Sequence, residues 1–63
     1  MLGLGLMVEY FLLSSQGRIL NAVSGENLTA AEARKAMCAA DYQTITRTVT
    51  QAQLREYEQE HPR

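Results

Sequence analysis

Tryptophan is absent from this 63-residue chain, and Phe11, Cys38, His61 and Pro62 are the only residues of their kinds. Each scarcity removes a class of fold or function. One cysteine cannot close an internal disulfide, and a lone thiol without a pairing framework fits a reducing, cytoplasmic setting. A single Cys and a single His, with no third group to orient them, make neither a metal site nor an activated nucleophile. No cofactor and no metal is expected. Basic residues are also few: Arg18, Arg34, Lys35, Arg47, Arg55 and Arg63 are offset by seven acidic residues to a net charge of −1. Phosphate binding needs clustered Lys and Arg, so nucleic acid is not the expected partner.

Long apolar runs are missing too. The stretch from Met1 to Val8 has no basic region before it and no small-residue cleavage site, and Glu9 interrupts it. Even through Leu13 it falls well short of the ~20 apolar residues of a membrane-spanning helix, so no membrane partner is expected. Gly3 and Gly5 weaken any element built there. Residues 1–6 therefore read as an N-terminal extension or arm, with Met7 as an alternative start, and residues 7–63 as a single small α+β domain. Gly3-Leu4-Gly5 lacks the third glycine and the preceding strand of a dinucleotide loop. Asn27-Leu28-Thr29 fits a glycosylation acceptor only by chance, because Thr29 has a better use.

That use is one of two capping boxes, Thr29-Ala-Ala-Glu32 and Thr50-Gln-Ala-Gln53. In each, a threonine hydroxyl accepts from the amide three residues on, and the Glu or Gln reaches back to the cap's own N–H. Val49 and Leu54 add a hydrophobic staple to the second. Two helix starts follow, one helix from Ala30 to about Ala40, ending at Asp41, and another from Gln51 to about Glu60 with Pro62 as a stop. The first is alanine-rich, with a narrow stripe of Ala33, Met37 and Ala40 flanked by Ala30 and Ala36, and Cys38 as a small buried or half-buried residue.

Strands are expected at Val8–Leu13, Arg18–Val23 and Tyr42–Thr48, with a turn at Ser14-Ser15-Gln16-Gly17 and a loop over Ser24–Asn27. Ile19, Asn21 and Val23 alternate against Leu20 and Ala22. The first strand is apolar on both faces, Val8, Tyr10 and Leu12 against Phe11 and Leu13, which marks a central strand. The expected fold is a β-β-α-β-α domain: a three-stranded antiparallel sheet in order 2-1-3, one helix on a face and a short C-terminal helix. One helix covers one face, leaving an apolar patch on the other.

A chain this short buries only about 60% of its extended surface, and its large apolar residues are few. With no disulfide or metal to staple it, association is the remaining source of stability. The expected function is a non-catalytic protein–protein interaction module, a homodimer or a domain docking on a larger protein. Its candidate interface residues are Tyr10, Leu12, Arg47, Leu54, Tyr57, Glu56 and Glu60. The tyrosines serve as anchors, and Glu56 and Glu60 form an acidic stripe that suits a basic groove. A stripe of that kind is more often a solvated face. In size, element order and lack of chemistry the chain is similar to small phage- or plasmid-encoded inhibitors and regulators, anti-CRISPR proteins among them. The alternative is a small nucleic-acid-binding regulator using Arg18, Arg34, Lys35 and Arg47.

Overall fold

A computed structural model describes residues 5–61; Pro62, Arg63 and the first four residues of the expected arm lie outside it. Ser14 sets the first fixed point. Its carbonyl accepts from Gly17 N–H at 2.9 Å and its N–H donates to Arg18 O at 2.8 Å. Gly17 takes φ 83, the left-handed conformation that closes a three-residue hairpin loop and that glycine enters without a Cβ penalty. The Ser14 hydroxyl accepts from the Gln16 and Arg18 amides as well.

The loop joins β1 (Met7–Leu13) to β2 (Ile19–Glu26), and β3 (Thr44–Thr46) pairs antiparallel on the far side of β1. The sheet order is β2-β1-β3, with the doubly apolar strand in the centre as its pattern requires. β2 runs three residues past Val23, through a Ser-Gly-Glu segment of low strand propensity. Pairing with Met7, Val8 and Glu9 overrides that propensity. β3 is shorter than Tyr42–Thr48 because local turns take its flanking backbone groups. Gln43 is bonded to Ala40 through backbone and side chain, and the Thr46 hydroxyl bonds both backbone groups of Thr48.

The ladder also slips. Leu12 faces Asn21 but Leu13 faces Ile19, so Leu20 is an extra, bulged residue. Ile19 is thereby moved onto the face of Leu13 and buried to 2%, whereas simple alternation grouped it with Asn21 and Val23. Leu20 is left 40% exposed.

Both capping boxes form as their sequences specify, at Thr29 for α1 (Ala30–Ala36) and at Thr50 for α2 (Gln51–Glu60). Glu32 accepts from both the N–H and the hydroxyl of Thr29, each at 3.0 Å, and these bonds hold its carboxyl below the ordinary 4.5. A carboxylate with a depressed folded-state pKa stabilises fully above its unfolded value and loses that contribution as pH falls through the folded one. Thr29→Ala is expected to cost about 1 kcal/mol, and Thr50→Ala a similar or smaller amount. Only the Thr29 box should weaken below pH 4.5, because Gln53 does not titrate. Denaturation at neutral and acid pH checks both statements. Glu32→Gln should abolish the acid-sensitive part.

α1 ends four residues earlier than its alanine content suggests. Ala39 N–H reaches back to Arg34 O at 2.9 Å and Cys38 N–H to Lys35 O at 3.2 Å, the paired bonds of a Schellman stop. The Arg34 guanidinium then holds the outgoing chain, donating to Ala40 O and Gln43 O at 3.1 Å each. Cys38 occupies the left-handed position at φ 53 and is exposed, not packed inside. A residue with a Cβ is disfavoured there by roughly 1–2 kcal/mol, against an entropic cost of roughly 0.5–1 for glycine. Cys38→Gly should therefore stabilise the fold by about 0.5–1 kcal/mol in chemical denaturation, and Cys38→Ala should not.

α1 packs on the face carrying Leu12. Ala33 is fully buried against Leu12 and Met37, with Tyr10, Val23, Leu28, Ala39 and Ile45 around them. Ala40 is half-buried, while Ala30 and Ala36 are exposed. Phe11, the next residue on β1, points to the opposite face, where it meets α2. The expectation of one open apolar face is thus corrected: α2 covers Phe11, which is 8% exposed.

Candidate interaction surface

α2 holds that face without a single buried residue of its own. Leu54 and Tyr57 are half-buried toward Phe11 and Ala22, and polar ties supply the rest. Gln53, already part of the capping box, donates from Nε2 to Gly17 O at 2.7 Å. Arg18 pairs with Glu60 through Nη2 and lies 4.0 Å from Glu56 through Nε. The hairpin turn therefore anchors the first two turns of α2 and its last. Exposed ion pairs contribute only about 0–1 kcal/mol, so these ties orient the helix more than they stabilise it.

Between α2 and the sheet lies a cleft of about 480 Å³ lined by Glu9, Phe11, Ala22, Leu54, Tyr57, Glu58 and His61. Its floor is the Phe11 ring and its rim carries two carboxylates. His61 stacks on Tyr57 with ring centroids 4.2 Å apart, and its Nδ1 lies 3.0 Å from Tyr57 O. Glu9, Glu58, His61 and Phe11 were not among the sequence candidates. Their signal was nevertheless present: Leu54, Tyr57, Glu58 and His61 follow the three-four spacing of one helix side, and Glu9 and Phe11 share one face of β1.

The sequence candidates fall into four groups. Tyr10 and Leu12 belong to the core beneath α1, and Leu12 is 5% exposed. Leu54 and Tyr57 face the cleft. Glu56 and Glu60 turn toward Arg18, so their charge is engaged within the chain. Arg47 is exposed, one residue beyond β3. Of the cations of the nucleic-acid alternative, two are engaged within the chain. Arg18 is matched by two carboxylates and Arg34 is held by two carbonyls. Cys38, at the end of α1, and His61, at the end of α2, belong to helices on opposite faces of the sheet.

Large apolar side chains are exposed elsewhere. Leu6, Met7 and Tyr42 are 73%, 70% and 72% accessible. Leu6 is nevertheless tied down, because Asn27 N–H donates to Leu6 O at 2.8 Å and Leu6 N–H to Asn27 Oδ1 at 3.2 Å. Among the described residues no three His, Cys, Asp or Glu side chains gather as a metal site, and no helix is long and apolar enough to cross a membrane. Compared with protein-family models, curated proteins and solved structures, the chain matches none of them.

Proposed function

We propose that this chain is a non-catalytic protein–protein interaction module whose fold is completed by association. One observation carries the reading. No large side chain among the described residues is buried below 2%, while Leu6, Met7, Leu20 and Tyr42 stand exposed. Small domains that bury so little gain most from binding, since any partner that binds only the folded state stabilises it by mass action. The cleft adds support of a weaker kind: it is an open groove in which the apolar side chains of Phe11, Leu54 and Tyr57 lie beside the carboxylates of Glu9 and Glu58. The analogy with small inhibitors rests on size and element order alone.

The test is the size and concentration dependence of the protein itself. Sedimentation of the purified chain and gel filtration of the tagged chain in an extract of its producing cell should show a species larger than the free 7.0 kDa chain. If the purified chain associates with itself, Tm should rise with concentration. A monomer in both settings with a concentration-independent Tm would overturn the proposal.

A further inference from the structure

We infer that the free edge of β2 pairs antiparallel with the β2 edge of a second copy, in a two-fold register centred on Ser24. This rests on reading the chain as an association module and names its partner. The inference starts from the ladder. In an antiparallel pair, alternate residues turn their N–H and C=O toward the neighbouring strand or away from it. Asn27 N–H bonds Leu6 O at 2.8 Å, and the β1–β2 register runs unbroken from Met7↔Glu26 to Leu12↔Asn21. Counting from Asn27 by twos, Gly25 and Val23 face β1, and Glu26, Ser24 and Ala22 turn their backbone groups outward. Ala22 bears this out: its N–H accepts no place in the ladder and donates instead to its neighbour's side chain, Asn21 Oδ1, at 2.8 Å.

Among the described residues no strand pairs with the outer edge of β2, and the Ala22 N–H on it is held only by the neighbouring Asn21 side chain, which an incoming strand would displace. Proteins that keep an edge unpaired place lysine, proline or an inward charge there; Ala22, Val23, Ser24 and Gly25 are short and uncharged. The bulge at Leu20 limits pairing on one side, so the open stretch is Ala22 to Glu26. Only a register centred on Ser24 uses the outward groups of all three residues on both copies. In it Ser24 faces Ser24 of the second copy, and Glu26 faces Ala22, so no like charges meet. Exposed Leu20 then falls at the Leu28 end of the other copy. A shift of the centre to Val23 or Gly25 leaves the groups of one outward residue unused in each copy.

The register makes position-specific expectations. Ser24→Pro removes an outward N–H, which an edge strand tolerates, and should leave a folded chain whose association is weakened at least tenfold. Ser24→Lys and Ser24→Glu should each be monomeric alone and associate when mixed, because the two side chains meet across the two-fold axis. In a Cys38→Ala background, Ser24→Cys should form a disulfide-linked dimer under mild oxidation, since residues of a hydrogen-bonded pair stand about 5.5 Å apart at Cα; Glu26→Cys should not. Sedimentation, with circular dichroism to confirm the fold, reads the first two, and non-reducing electrophoresis the third. Self-association that survives Ser24→Pro and Ser24→Lys, with no Ser24→Cys dimer, overturns the edge while leaving the module reading intact. A chain that is monomeric when pure but larger in extract overturns the second copy as partner. A monomer in both overturns the module reading as well.

Discussion

Phe11→Ala should cost about 3–5 kcal/mol and bring the chain to the limit of folding. A domain of this length has roughly 3–9 kcal/mol of stability in total, at about 0.05–0.15 kcal/mol per residue. Phe11 is the only phenylalanine, is 8% exposed, and lies opposite Ala22 on one side and Thr46 on the other. It lines the cleft between the sheet and α2 together with Leu54 and Tyr57. Ile19 and Leu13 share that face, but Phe11 and Ala22 are the apolar sheet residues that line the cleft with Leu54 and Tyr57, and the ties of Gln53 and Arg18 reach only the hairpin turn. If a folded fraction survives, the amides of α2 should lose hydrogen-exchange protection while those of α1 retain theirs, because α1 packs on the opposite face. Phe11→Leu keeps most of the volume and should cost under about 1.5 kcal/mol. Urea denaturation and residue-resolved exchange give the two readings. Equal loss of protection in both helices would mean that α2 is not a separately docked layer.

The element order, the central strand and both helix starts were legible because they depend on local chemistry. A threonine three residues before a Glu or Gln and directly ahead of a helix-forming run specifies a cap, and apolar residues on both sides of β1 specify a strand with neighbours on both sides. Three features were not legible, each for a non-local reason. The bulge at Leu20 arises from how the hairpin loop meets the ladder, and it turns Ile19 to the other face. The end of α1 depends on Arg34 catching Ala40 and Gln43, after which Cys38 takes a conformation that glycine usually marks. The destination of α2 was hidden because its docking is mostly polar: Glu56 and Glu60 read as a solvated stripe, yet their partner, Arg18, lies at the start of the second strand. Among the candidate interface residues, composition identified Leu54 and Tyr57 as the only large apolar groups of α2. It could not separate Tyr10 and Leu12 from a surface, since which face of β1 receives α1 is a tertiary outcome.

That last ambiguity has a direct experimental form in Leu12→Ala, expected to cost about 2–5 kcal/mol. Leu12 is 5% exposed and packs with Ala33 and Met37, while Ile45 of β3 stands opposite it. Ala33, the α1 residue packed with Leu12, is fully buried and carries only a Cβ, so no longer side chain at that point can swing into the space that Leu12 would vacate. The cavity should therefore persist, which places the cost in the upper part of that range. Its neighbour supplies the control. Leu13 points to the other face and is only half-buried, so Leu13→Ala should cost clearly less. The two variants also separate folding from association. Leu12→Ala should lower the denaturation midpoint at every protein concentration by a similar amount, because the lost contacts lie within one chain. A Leu12→Ala variant as stable as the parent but deficient in self-association would instead place Leu12 at an interface, and the packing of α1 on this face would have to be abandoned.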